Sequence, residues 1–93
     1  MAVYFVVNAD ITDPELLAAY RAAARATFEG HDLRLLVSTS EAEVIEGEPR
    51  GRRVVILEFP DRAAFRAWYD SPEYQEIIKM RLDSTDGFAL LAE

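Results

Sequence analysis

The sequence predicts an α+β domain whose elements follow the order β-α-β-β-α-β, the order of the ferredoxin-like fold. Two segments, Val3–Ala9 and Arg53–Phe59, are rich in β-branched and aromatic residues and predict buried strands. Asp13-Pro14 and Ser71-Pro72 are typical starts of helices. The 93 residues contain no repeat or linker, so we expect one domain, residues 1–93, with an antiparallel sheet and both helices on one of its faces.

The first half of the chain predicts a strand, a helix and a hairpin. Asp13 as N-cap and Pro14 as first residue predict a helix to about Glu29, with Thr12 as an alternative cap. The apolar patterns of Leu33–Val37 and Ala42–Glu46 predict two strands joined by a polar turn. This hairpin counts as one arm of the sheet and a bent edge, which keeps the order β-α-β-β-α-β. A loop with Gly and Pro follows, and leads into the fourth strand.

The second half predicts a broken helix and a last strand. Pro60 ends the fourth strand and Asp61 caps a helix that reaches Tyr69. Helix restarts at Ser71-Pro72 and carries apolar residues to Leu82. The final strand, residues 88–92, is entered through Gly87.

Composition excludes several classes of function. The net charge is −7 and only one of the ten basic residues is a lysine, which argues against binding to nucleic acid or to an anionic membrane surface. The chain has no cysteine for disulfides or thiolate metal sites. It shows no secretory signal and no apolar run of membrane-spanning length, so we expect a cytoplasmic protein.

The first and fourth strands carry apolar residues on both faces, and this predicts a homodimer. Helices on one side of the sheet would leave the other side exposed to solvent in a monomer. Each Val, Ile or Phe that is buried instead stabilises the folded protein by about 1.5–3 kcal/mol. We therefore expect two sheets packed face to face around a two-fold axis.

Aromatic and charged residues around the fourth strand predict a small-molecule cavity under the helices. Glu58, expected to face inward, and Tyr74 are the candidates for moving a proton. The candidate ligand-binding residues are Tyr4, Asn8, Arg53, Trp68, Tyr69 and Arg81.

Structural roles for the same residues stay open. The aromatic side chains fit a hydrophobic core, Glu58 also fits an exposed position, and Arg53 fits an ion pair with Glu58 or Glu46 across the sheet. His31 is the single histidine and follows a helix end, so we expect no metal site and no bound cofactor.

Several motifs resemble the domain of unknown function family numbered 1330. They are the runs RVVILEFP at residues 53–60, WYDSPEYQ at 68–75 and EVIEG at 43–47, together with Tyr4, Asp13-Pro14, Tyr20, Ala64 and Arg81. The resemblance spans essentially the whole chain and implies the dimeric α/β-barrel superfamily. That superfamily includes cofactor-free monooxygenases, lactone isomerases and haem-degrading enzymes. Ser38-Thr39-Ser40 departs from the family, which often has a basic residue followed by glycines there.

Two hypotheses follow for the function. The first is a small-molecule-binding domain, which includes the case of a cofactor-independent enzyme acting on a small organic acid or phenol. The second is a dimerisation or regulatory module without a ligand. Haem degradation is a distant third, since the only imidazole lies in a loop.

Overall fold

The computed structural model describes residues 1–93 and has four strands and three helices. The strands are β1 (Val3–Ile11), β2 (Arg34–Thr39), β3 (Arg53–Phe59) and β4 (Thr85–Ala92). The helices are α1 (Pro14–Thr27), α2 (Arg62–Tyr69) and α3 (Pro72–Ser84). The strands form one antiparallel sheet in the order β2-β3-β1-β4, which confirms the expected βαββαβ topology.

Strand β1 lies at the centre of the sheet and its alternation sets the two faces. It pairs with β3 from Val3 opposite Phe59 to Ala9 opposite Arg53, and with β4 along its other edge. Every second residue from Val3 to Ala9 is buried beneath the helices, and the residues between them are half-buried on the opposite face. We call this second face, which no helix covers, the open face.

The predicted helix starts are confirmed. The Asp13 carboxylate accepts from the Leu16 N–H at 3.1 Å, so Asp13 rather than Thr12 is the cap. Asp61 and Ser71 cap α2 and α3 in the same way, at 2.8 and 3.2 Å. Each such cap stabilises its helix by about 1 kcal/mol.

The predicted strand over residues 42–46 is wrong. Residues 40–52 form a loop without strand pairing, since β2 and β1 already occupy both edges of β3. The Ala42 N–H donates to the Arg52 carbonyl at 3.1 Å, and Arg52 Nε donates to the Ala42 carbonyl at 2.9 Å. The apolar side chains of residues 42–46 have no surface to pack against, and Ile45 is 80% exposed.

The last strand begins earlier than predicted, at Thr85 instead of Phe88, because α3 passes directly into β4 without a loop. Gly87 therefore lies inside the strand opposite Ala9, and a Cβ there would come within 2.1 Å of the Asn8 carbonyl oxygen. Close approach of two strands explains why this position is a glycine.

The core lies between the sheet and the helices and is mainly aromatic. Trp68 is 1% exposed, and its ring centroid lies 4.1 Å from that of Tyr74 and 5.6 Å from that of Phe59. Phe5 and Phe65 complete this cluster with centroids 5.3 Å apart. Trp68 therefore packs in the hydrophobic core, which is the structural role that the sequence left open for it.

The open face is apolar, as the strand patterns predicted. Val6 lies opposite Ile56 on one side and Leu90 on the other, and Phe88 and Leu90 are about half exposed. Val37 pairs with Ile56 after a bulge in β2 and extends this face to the sheet edge. None of the three helices is both long and apolar enough to cross a bilayer.

Candidate functional site

A cavity of about 70 Å³ lies between α1 and the helix-covered face of the sheet. Since one water molecule needs a cavity of about 10–15 Å³, this cavity has room for about five water molecules. Its lining comes from every helix and strand: Phe5, Val7, Tyr20, Arg21, Ala24, Arg25, Phe28, Leu35, Ser38, Arg53, Val55, Leu57, Trp68, Arg81 and Thr85.

The alanine content of α1 explains why this space is not filled. The helix reads PELLAAYRAAARAT, and its Ala24 is buried against the sheet where a larger side chain would occupy the gap. The facing residue types on β1 and β3, such as Val7 and Val55, are also short. The large aromatic residues Phe5 and Trp68 line the cavity without filling it.

The mouth of the cavity lies between α1 and the edge strand β2, where the exposed lining residues occur. Arg21 and Arg25 stand one turn apart on α1, and Leu35 and Ser38 face them from β2. Phe5, Leu57 and Trp68 form the buried floor.

Four arginines and no acidic residue line the cavity, although the chain has 17 acidic residues. The five ion pairs of the protein use Arg34, Arg50, Arg62, Arg66 and Lys79. The cavity arginines therefore have no carboxylate partner. This concentrates unpaired positive charge in an acidic protein.

Arg53 is the most buried of these arginines, with 6% of its surface exposed. Its guanidinium donates to the Ser38 hydroxyl at 3.1 Å and, more weakly, to the Ser40 hydroxyl at 3.4 Å. Burial, and then the nearby charge of Arg21, lower its pKa. The ion pair considered for Arg53 is absent, because Glu58 pairs with Arg34 at 3.2 Å on the open face.

A second polar group at the cavity is a chain of three side chains. Arg81 Nε lies 3.3 Å from the Tyr74 hydroxyl, which lies 2.8 Å from the Tyr20 hydroxyl. Burial is the main cause that raises the pKa of Tyr20, and the neighbouring Tyr74 adds to it. Burial lowers the pKa of Arg81, but the phenols of Tyr74 and Tyr20 outweigh this and raise it overall.

The structure separates the predicted site residues into three groups. Arg53, Trp68 and Arg81 line the cavity. Tyr74 is wholly buried one layer behind it, and Tyr69 stacks on Phe65 with centroids 5.2 Å apart in the core.

The third group, Tyr4, Asn8 and Glu58, lies on the open face and not in the cavity. Asn8 donates to the carbonyls of Gly51 and Arg53, and its side-chain oxygen accepts from the Arg50 N–H at 3.0 Å. These contacts anchor the loop of residues 40–52, so the Asn8 amide is already engaged. Glu58 does not face inward, because the alternation of β3 turns its odd-numbered residues toward the helices.

Sequence reasoning missed Tyr20, Arg21, Arg25 and Ser38 as lining residues. The signal for the helical ones was the spacing i, i+1, i+5 on α1, which brings their side chains to one side of the helix. For Ser38, the polar triplet with Thr39 and Ser40 indicated a turn, yet Ser38 and Thr39 continue β2. The protein has no group of three or more His, Cys, Asp or Glu side chains placed to hold a metal ion.

The family model called "Domain of unknown function (DUF1330)" matches residues 2–93. The chain belongs to this family. The match confirms the resemblance seen in the motifs of the sequence. No protein of curated description matches the chain.

Solved structures with the same fold share little sequence with this family member. A protein of unknown function from Rhodopseudomonas palustris has a TM-score of 0.79 at 18% identity, covering 97% of this chain and 79% of the other. SnoaB, described as a cofactor-independent oxygenase from Streptomyces nogalater, has a TM-score of 0.69 at 18% identity, covering 99% and 91%. A conserved protein from Methanosarcina mazei has a TM-score of 0.61 at 14% identity, covering 98% and 88%. Identities this low show the fold alone, and nothing about ligands or assembly.

Proposed function

We propose that the cavity binds a small monocarboxylic acid with a short apolar chain. One observation carries the proposal: Arg53 is buried in the cavity wall and has no carboxylate partner in the protein. A buried charge is costly unless it is paired, so buried arginines are normally found with an anion. A ligand carboxylate would supply that anion and accept charge-assisted hydrogen bonds from the planar guanidinium.

The rest of the cavity fits the other parts of such a ligand. Nine of the fifteen lining residues are hydrophobic, and the floor formed by Phe5, Leu57 and Trp68 suits an alkyl chain. The volume limits the buried part of the ligand to a few heavy atoms. This size and polarity favour short carboxylic acids over large aromatic compounds or phenols.

Arg21 and Arg25 at the mouth support capture of an anion from solution. The protein as a whole carries a net charge of −7 and repels anions at long range. The two exposed guanidiniums place positive charge at the mouth, and this charge acts on an approaching anion over about one Debye length, about 8–10 Å. We expect association to slow as ionic strength rises.

Binding, rather than turnover, is the function that this geometry supports. Of the two candidates for proton transfer, Glu58 lies across the sheet from the cavity and is engaged with Arg34. Tyr74 is wholly buried and reaches the cavity only through Tyr20. The likeness to a protein described as a cofactor-independent oxygenase makes an oxidation of the bound acid the first reaction to assay.

We expect butanoate to bind and butanamide not to bind at the same concentration. The two have the same number of heavy atoms, but only the acid carries a negative charge that can pair with the Arg53 guanidinium. Trp68 is the single tryptophan and lines the cavity, so its fluorescence reports binding directly. Equal binding of acid and amide, or binding of neither at millimolar concentrations, would contradict the proposal.

We also propose that a second copy of the chain covers the open face, which is the homodimer expected from the strand patterns. Val6, Ile56, Phe88 and Leu90 form an apolar surface with no helix over it. We expect light scattering at micromolar concentration to give twice the 10.5 kDa of one chain. Replacing Ile56 with lysine should give the monomer mass, whereas a monomer in the unaltered protein would refute the dimer.

A further inference from the structure

The Tyr20 hydroxyl has a hydrogen that no group in the protein accepts. Arg81 can only donate in its hydrogen bonds, because a guanidinium has no acceptor atom. Arg81 Nε therefore donates to the Tyr74 oxygen, 3.3 Å away. The Tyr74 oxygen is thus an acceptor in this contact, and its own hydrogen has to go elsewhere.

Only one acceptor is available to the Tyr74 hydroxyl. Tyr74 is wholly buried, and the Tyr20 oxygen at 2.8 Å is its one remaining partner. A buried hydroxyl that donates to nothing is destabilising, so Tyr74 donates to Tyr20. The Tyr20 oxygen is then the acceptor, and the hydrogen of Tyr20 stays unassigned at the wall of the cavity.

We propose that Tyr20 is a specificity-determining donor that selects acids with a second acceptor oxygen. This inference rests on the function proposed above. In this arrangement the Tyr20 oxygen accepts from Tyr74 at 2.8 Å, and Tyr20 lines the cavity with its own hydrogen left to donate. Tyr20 and Arg53 line the same cavity. The ligand class is therefore a short oxo acid, with the carboxylate at Arg53 and the carbonyl oxygen at Tyr20.

The neutral state of Tyr20 agrees with this role. Burial raises its pKa, so the phenol keeps its hydrogen at any physiological pH and acts as a donor rather than as a base. A donor that is already oriented by a neighbouring hydroxyl loses little freedom when a ligand binds. Oxo acids that present only lone pairs fit it better than acids that lack the second oxygen.

The test compares matched acids on the unaltered protein, followed by Trp68 fluorescence. The pairs are 2-oxobutanoate with butanoate and 4-oxopentanoate with pentanoate, which place the carbonyl near to and farther from the carboxylate. We expect at least one oxo acid to bind about tenfold more tightly than its partner, the effect of one well-formed hydrogen bond. Absence of a preference in both pairs overturns the inference.

Tyr20→Phe tests the assignment to this residue. We expect the ratio of the affinity for the oxo acid to the affinity for its plain partner to fall to about one in this variant. If Tyr20→Phe still prefers the oxo acid, another group donates a hydrogen bond to the carbonyl oxygen of the ligand. That result overturns the assignment of this role to Tyr20. Thermal melting shows that the variant is folded, and the comparison of matched acids on the unaltered protein does not depend on it.

The two proposals fail in different ways. If plain and oxo acids bind the unaltered protein equally, acid binding stands and the role of Tyr20 is wrong. If neither kind binds, the function proposed for the cavity is wrong, and the inference about Tyr20 falls with it.

Discussion

Replacing Trp68 with alanine is expected to lower the free energy of unfolding by about 3–5 kcal/mol. The indole is 1% exposed and has six aromatic neighbours, with ring centroids 4.1 to 6.3 Å away: Phe5, Phe28, Phe59, Phe65, Tyr69 and Tyr74. Its Nε1 donates to the Thr27 hydroxyl at 2.9 Å, which ties α2 to the end of α1. Alanine removes all of these contacts and leaves a void that the surrounding strands and helices cannot close.

The size of this loss matters because the domain is small. At about 0.05–0.15 kcal/mol per residue, the whole chain is stable by roughly 5–14 kcal/mol, so the variant loses a large share. Denaturant unfolding followed by circular dichroism measures the change. Trp68→Phe is the matched control: it keeps an aromatic ring but no donor for Thr27, and we expect an intermediate loss. A loss below about 1.5 kcal/mol for the alanine variant would show that the aromatic cluster is not the main source of stability.

Much of the fold could be predicted because its information is local or periodic. Asp13, Asp61 and Ser71 act as caps within their own helices, and the alternation in β1 and β3 is visible in sequence. The strand predicted at residues 42–46 failed for a non-local reason. Whether an alternating segment joins a sheet depends on a free strand edge, and β2 already occupies that edge of β3.

The candidate site was less predictable than the fold. The alternation of β3 places Arg53 and Glu58 on opposite faces, but sequence alone does not say which face the helices cover. The cavity itself arises from what is missing, since the short side chains of α1 leave a space that composition does not reveal. The lack of an acidic partner for Arg53 depends on where every carboxylate of the chain lies in three dimensions.

Replacing Arg53 with methionine is expected to weaken acid binding strongly while leaving the ligand-free protein equally stable or more stable. A charged hydrogen bond contributes about 1.5–3 kcal/mol, so we expect the affinity for butanoate to fall by roughly 10- to 150-fold. Without ligand, the buried guanidinium has only the hydroxyls of Ser38 and Ser40 as partners. Apolar residues of similar volume often replace buried charges with a gain, which we estimate here at about 1–2 kcal/mol.

These opposite effects separate a binding residue from a structural one. If Arg53 served mainly to hold Ser38 of β2 and Ser40 of the following loop in place, methionine would destabilise the protein, and acid binding would fall only as a consequence of unfolding. Arg62→Met is the matched control, because Arg62 is exposed and pairs only with Glu93 at 2.8 Å. That surface pair is worth at most about 1 kcal/mol and lies outside the cavity lining, so the control should bind butanoate normally. Measurements of unfolding and of butanoate binding on both variants therefore decide whether Arg53 binds a ligand or has only a structural role.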